Sequence, residues 1–478
     1  MKNLNLLIRP MVMGLVILTA GCKGFVEIDP PVDQIVSETV FTSDDMASSA
    51  IRGIYARMMT ANGFASGYVS SVTLLAGKSS DEFINYNTSS MMDVQFASNN
   101  LLPDNGILRT GLWQEPYKYI YYANAVLENL QKSDLVSADM KSQLEGEALF
   151  IRAFCHFYLS NLFGEVPVIL TTDYRVNAIA RASSKTEIYT CMVKDLLKSK
   201  ALLPESYPAA ERTRPNKWAA TALLARVYLY QEDWVNAEKQ ATEVIQKTNL
   251  YKIQSDLNQA FLKNSEEAIL QFAAPASTGV NTREGQLFIL TAAPGASTAV
   301  ILSSNLTSSF DPNDQRAQKW IGTFTNAAGS WKYAFKYKVK TGATVVTEYS
   351  MVLRLAEQYL IRAEARINQG NVETGVQDLN VLRKRARPLP GVAGPNPLPD
   401  ILPTLSQTDA LLAVEKERKY ELFAEWGHRW LDLKRTHKAE SVMGALRGSN
   451  WQSTDVFYPI PKTELANNPN LVQNKGYQ

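Results

Sequence analysis

NKWAATALLARVYLYQEDWVNAEKQATEVIQK, residues 216–247, contains two amphipathic stretches separated by a short polar break. Apolar residues recur in both at three- and four-residue steps, the period of a helix with one buried face. Small residues sit among them at chosen places. Ala225 on the first stretch and Ala237 and Ala241 on the second let two antiparallel backbones come close, and Val244 fills the seam beside them. The pattern recurs farther along. With Ala225 laid on Ala363, Gln231 falls on Gln369, Ala237 on Gly375, Ala241 on Leu379 and Val244 on Leu382, without a gap. Two copies of one helical hairpin point to tetratricopeptide-like units, which bury their apolar faces by stacking on one another.

Helical periodicity extends outward from both copies. Residues 110–131 and 137–164 read as another hairpin, with Ser137 as N-cap and Gly164 and Pro167 ending the second helix. Residues 186–203, 351–370, 373–386 and 408–426 follow the same period, and the last is expected to continue as helix through WGHRWLDLK. The expected architecture is mostly α: a scaffold of helical hairpins over about residues 110–247 and 351–435. Two stretches break the pattern, about 60–110 and 250–350, rich in Gly, Ser, Thr, Asn and aromatics. AILQF (268–272), WKYAFKYKV (331–339) and ATVVTEYS (343–350) read as short strands within the second. Such loop-rich insertions on a rigid scaffold are where binding usually resides. RPLPGVAGPNPLPDILP (387–403) reads as a stiff surface loop, and no linker divides the chain, so residues 22–478 are expected to form a single domain.

The first 21 residues have another character. Lys2 and Arg9 precede the apolar run PMVMGLVILTA, and LTAGCKGF (18–25) places Leu18, Ala20, Gly21 and Cys22 in the order of a bacterial lipobox. Residues 1–21 are therefore expected to be a lipoprotein signal peptide and Cys22 the site of lipid attachment. Several acyl chains at about 0.8 kcal/mol per buried CH₂ make a lasting anchor. No later apolar run is long enough for a membrane span.

Removal of Lys2 and Arg9 with the signal leaves 47 basic against 47 acidic residues. That balance argues against nucleic acid as a partner, because phosphate backbones are held by a cationic excess. Cys155 and Cys191 lie in apolar-periodic stretches and read as buried small hydrophobes. The three histidines, His156, His428 and His437, are too scattered to suggest a metal site, and no cofactor fingerprint is present.

At this point the chain resembles a known family. RAFCHFYLSNLFGEVPV (152–168), the 214–241 segment, YSMVLRLAEQYLIRAEARINQG (349–370), EKERKYELFAEWGHRWLDLKR (415–435) and YPIPKTELANNPNLVQNKGY (458–477) resemble the successive blocks of SusD/RagB proteins, as does CKGFVEIDPP at the expected mature start. The resemblance implies a non-enzymatic, lipid-anchored subunit on the outer face of the outer membrane. In the family it covers a SusC-like TonB-dependent transporter and presents it with an oligosaccharide or, in some members, a peptide. The alternatives are peptide capture by the same architecture and an envelope scaffold that binds only proteins.

Sugar capture needs flat aromatic faces for pyranose C–H surfaces and polar groups for the hydroxyls. SSDEFINYN (79–87) supplies Asp81, Asn85, Tyr86 and Asn87; RAQKWIGTF (316–324) supplies Arg316 and Trp320; GSWKYAFKY (329–337) supplies Trp331 and Tyr333. Trp320 and Tyr86 are the foremost candidates. Arg152, Phe163, Gly164 and Pro167 of the family signature, and Glu425, Trp426, Arg429, Trp430 and Asp432, are expected to be structural. Asp44-Asp45, Asp81-Glu82 and Glu266-Glu267 are the acid pairs that glycoside hydrolysis would call on. Adjacency in sequence does not set two carboxyls across a cleft, so no catalytic residue is assigned.

Overall fold

A computed structural model describes residues 38–60, 63–295, 300–342, 345–388 and 398–477. The expected signal peptide and Cys22 lie outside the described residues. The chain is mostly helical. It begins with α1 (Asp44–Met58), α2 (Val72–Ser79), β1 (Phe83–Asn85) and α3 (Met91–Ser98). The hydroxyls of Ser43, Ser71 and Ser90 cap the three helices. α2 and α3 fall within residues 60–110, expected to be loop. α2 is buried all round and so lacks the polar face that a helical period needs.

The frame follows as α4 (Glu115–Lys132), α5 (Ala138–Phe163), α6 (Lys185–Leu202), α7 (Lys217–Tyr230), α8 (Trp234–Ile245), α9 (Leu355–Asn368), α10 (Val372–Arg385) and α11 (Gln407–Leu422). From α4 to α10 each helix packs against its successor. α8 and α9 are neighbours although the whole second insertion lies between them in sequence. Ser137 caps α5 as expected, and Gly164 ends it at φ 82°. The aligned small residues lie in the seams. A Cβ on Gly375 would stand 2.5 Å from Ile367 Cγ1 and 2.8 Å from the Ala363 carbonyl. Arg226 of α7 reaches Glu357 of α9 through two bonds of 2.6 Å, tying one hairpin to the other inside the core. Arg152 of the signature is structural in the same way. It grips Asp195 through two 2.7 Å bonds and Asn124 at 2.8 Å.

The insertions form β2 (Ala268–Phe272), β3 (Val300–Leu302), β4 (Ile321–Asn326), β5 (Gly329–Ala334) and β6 (Ser350–Arg354). β1 pairs antiparallel with β3, Phe83 opposite Leu302 and Asn85 opposite Val300, so the two insertions are one structural layer. β2 coincides with AILQF. The other two strand expectations need correction. The strand expected at 331–339 covers 329–334, and the one at 343–350 is displaced onto β6, which pairs with β2. Met351–Arg354, expected as the first turn of a helix, are β6, and α9 starts at Leu355. Every residue of β6 is buried. Its apolar centre, Met351–Leu353, is too short to tell a buried strand from a buried helix, and pairing decides.

The helix through WGHRWLDLK also breaks. α11 stops at Leu422, and α12 (His428–Arg435) starts after a link in which Ala424, Trp426 and Gly427 all have positive φ. Tertiary bonds hold this conformation. The Ala424 N–H donates to the Glu82 carboxylate at 2.7 Å and the Trp426 N–H to the Thr73 hydroxyl at 3.1 Å. α13 (Ala439–Arg447) follows. Cys155 is buried, whereas Cys191 is partly exposed, and both are free. Among the described residues no helix is long and apolar enough to cross a membrane.

Candidate functional site

Trp320 leads into the β4–β5 hairpin and is fully buried. Its indole N–H donates to the Leu257 carbonyl at 3.0 Å, Phe261 meets it edge-on at 5.5 Å, and Lys336 and Arg385 lie over the ring at 4.9 and 5.1 Å. It is a core residue without a face for a ligand. This corrects its place among the candidates. Arg316 is corrected likewise: it is fully buried and bound to Asp314 at 2.7 Å, Glu417 at 2.6 Å and Glu421 at 2.9 Å. Around it, Arg354 binds Glu421, Glu267 and Glu425, Arg385 binds Glu267 and Glu421, and Lys336 binds Glu425. Burial by itself would raise the Glu421 carboxyl, but Arg385, Arg354 and Arg316 hold it well below the carboxylate range. This network joins the hairpin's base to α10 and α11.

The hairpin itself alternates. Ile321 faces Ala334, both buried, and Thr323, Lys332, Thr325 and Ser330 continue that side. The other side carries Gly322 opposite Tyr333 and Phe324 opposite Trp331. Phe324 and Trp331 stack with centroids 6.3 Å apart and planes 26° apart. Tyr333 lies across Gly322, where a Cβ would stand 2.3 Å from its Cζ, and meets Phe335 edge-on at 5.6 Å. Phe324, Trp331, Tyr333 and Phe335 are all partly exposed. Thus the base of the hairpin at Ile321 and Ala334 goes to the core, its outer part projects with Thr323, Thr325, Ser330 and Lys332 exposed on one side, and the other side carries a row of half-exposed rings. Trp331 was among the sequence candidates. Phe324 and Phe335 were not, and period-two alternation across WIGTF and SWKYAF is the signal that could have found them.

β5 packs beside β3, and β3 pairs with β1. At that end the other candidates gather. Asp81 is 4 % exposed and bound by Arg429 at 2.6 Å and Lys419 at 3.2 Å. Burial pushes its carboxyl up, but these two cations hold it below the ordinary value. Asn87 donates to Asp93 at 3.0 Å, and Asn85 donates to the Asn87 carbonyl at 3.0 Å. Tyr86 is half-buried in the turn after β1. Asp81 and Asn85 line a cavity of about 380 Å³ between β1, α3 and the end of α13; Tyr86, Asn87, Arg316, Trp320 and Trp331 are not among its walls. A larger groove of about 1320 Å³ runs along the helical frame, lined by Tyr189, Trp234, Lys434 and Phe457 among others.

The acid pairs are committed elsewhere. Asp44 accepts from the Ser137 hydroxyl at 2.6 Å, Glu82 is 3 % exposed, and Glu267 is held by Arg354 and Arg385. Burial raises the Glu82 carboxyl to about 7.

Comparison with known proteins adds to this geometry. Residues 37–229 match the SusD-like family described as "Starch-binding associating with outer membrane", and residues 314–477 match the SusD family. The chain is a SusD/RagB family protein. It is 28 % identical over 518 residues to SusD-like protein P2 of Formosa agariphila, covering 97 % of this chain and 98 % of that one. It is 26 % identical over 427 residues to the starch-binding protein SusD of Bacteroides thetaiotaomicron, covering 70 % and 72 %. The fold is shared with surface glycan-binding protein A of B. thetaiotaomicron, solved in complex with laminarihexaose. There the TM-score is 0.73 at 20 % identity over 91 % of this chain and 100 % of that one.

Proposed function

We propose that this SusD/RagB protein captures a glycan on the aromatic side of the β4–β5 hairpin and delivers it to a SusC-like TonB-dependent transporter, without cleaving it. The observation that carries the reading is the make-up of the projecting hairpin: one side carries exposed Thr323, Thr325, Ser330 and Lys332, and the other presents the half-exposed rings of Phe324, Trp331 and Tyr333 in a row. Such rings suit the C–H faces of sugar units, and Thr, Ser and Asn side chains of the neighbouring turns suit the hydroxyls. Two relatives point the same way, one named for starch binding and one structurally similar protein holding laminarihexaose. Trp331 is therefore a proposed ligand contact, with Asn85, Tyr86 and Asn87 at the far end of the same layer.

The family description supports association with the outer membrane. A diacylated Cys22 on the cell surface would hold the binding layer beside the transporter and raise the effective concentration for docking. Residues 22–478 act as one domain in this reading, supported by the β1–β3 pairing and by the ion network that ties the insertion to α10 and α11. The non-catalytic reading is supported by the commitment of Asp44 to Ser137, the burial of Glu82 and the ion pairs of Asp81 and Glu267.

Affinity electrophoresis through gels containing a panel of polysaccharides tests the proposal. Retardation by at least one glycan, with no sugar product released on incubation, is expected. Binding to peptide mixtures but to no glycan would overturn the capture of sugars, and released product would overturn the absence of catalysis.

A further inference from the structure

The cavity of about 380 Å³ beside β1 differs in character from the aromatic side of the hairpin. Phe83, Val94 and Ala97 form its apolar part, and Asn85, Thr88 and Asn305 its polar part. Ligand pockets start at about 300 Å³, so it has room for one small unit rather than a chain. Arg447 at the end of α13 closes one wall.

The bonding of Arg447 is unusual for an arginine in such a place. Its Nε donates to Asn99 Oδ1 at 3.0 Å, and its Nη2 to the carbonyls of Lys78 and Ser80, both at 3.2 Å. All three acceptors are neutral. They fix the guanidinium without neutralising it, and among the described residues neither an ion pair nor a partner for Nη1 is found. The nearby carboxylates are already engaged, Asp81 by Arg429 and Lys419, Asp93 by Lys78. The cavity wall itself carries one acid, Asp81, and one cation, Arg447; with the partners counted, Arg447, Arg429, Lys419 and Lys78 outnumber Asp81 and Asp93. Partial burial weakens solvation of the guanidinium and lowers its pKa from the usual value. A neutral occupant would leave that charge without a direct ion pair in a partly dry wall, offset only through space by Asp81, which Arg429 and Lys419 already hold. An anionic one would meet a preset, planar donor whose interaction is strengthened by the low local dielectric.

We propose that this cavity is a subsite for an acidic sugar unit, whose carboxylate or sulfate ester pairs with Arg447. The proposal rests on the reading of the loop layer as a carbohydrate-binding face and names the class of sugar it selects. Asn85 and Asn305 are positioned to bond the hydroxyls of the same unit.

Saturation-transfer NMR with glucuronate, glucose 6-sulfate and glucose tests it on small probes that do not need the hairpin. At least one of the two anions should bind at least tenfold more tightly than glucose, the better of them distinguishing a carboxylate from a sulfate subsite. The signal should weaken with added salt. Arg447→Gln, checked as folded by circular dichroism, should lose it, and Arg447→Lys should retain part. If neither anion outbinds glucose, or if both Arg447 variants bind as the wild type does, the proposal is overturned. Trp331-dependent retention by neutral polysaccharides alongside that result would overturn the acidic subsite alone. Loss of all glycan binding would overturn the wider reading too.

Discussion

Trp320 has its indole bonded to Leu257 and its ring covered by Lys336 and Arg385, so its removal is a question of stability. Trp320→Ala should cost about 3–5 kcal/mol, the range for a large buried aromatic. A urea titration whose unfolding free energy is lowered by that amount checks it, and an unchanged free energy would place the ring outside the core. Glu82 gives a residue-scale prediction in pH. Its folded pKa of about 7 lies above the unfolded 4.5, so the folded state binds the proton more tightly. Stability from this group is therefore full below about pH 4.5 and is lost as pH rises to about 7. Glu82→Gln should gain on the wild type across that window by about 3 kcal/mol, at about 1.36 kcal/mol per pH unit. His156 and His428, lowered to about 3 and 4 by burial, lose stability as pH falls below their unfolded value of 6.5. They do so in both proteins and cancel in the difference. Parallel melting curves of the two proteins from pH 4.5 to 8 would contradict the assignment.

At the scale of elements, close approach sets the hairpin seams. Helix propensity alone makes Gly→Ala favourable by about 1 kcal/mol. At Gly375 the added methyl would press on the Ala363 carbonyl and Ile367, an overpacking cost of about 1–3 kcal/mol, so steric conflict should win. Gly375→Ala is expected to lower the melting temperature, and a rise would show that the seam has slack. The same seam explains what could be read beforehand. α4 to α8 and α10 follow from a 3.6-residue period reinforced by caps such as Ser137. The start of α9 does not, because the three apolar residues Met351–Leu353 suit a buried strand or a buried helix alike and only β2 settles it. Nor does the break after Leu422, where contacts from Glu82 and Thr73, remote in sequence, hold left-handed residues. For the site, composition picked out the right loops but not the right rings. Trp320 and Trp331 have similar neighbours in sequence, and tertiary contacts separate them: Trp320 ends the short helix before β4, bonded to Leu257 and covered by Lys336 and Arg385, whereas Trp331 lies out along β5 against Phe324.

On the scale of the whole molecule, a rigid helical frame carries a joined layer of loops, the arrangement expected of a tethered receptor. If Cys22 is the tether, Cys22→Ser should move the protein from the membrane fraction of cells to the soluble fraction, since a protein without acyl chains loses the lipid burial that retains it. Persistence of the variant in the membrane fraction would argue for retention by a partner instead. The central claim is that the hairpin's open rings hold glycan. Calorimetric titration of the wild type and a Trp331→Ala/Tyr333→Ala double variant, with the polysaccharide that the wild type retains in gels, tests it most directly. The account predicts that the double variant, with an unchanged melting temperature, binds at least tenfold more weakly, or about 1.4 kcal/mol. Equal affinity in the two proteins would contradict it.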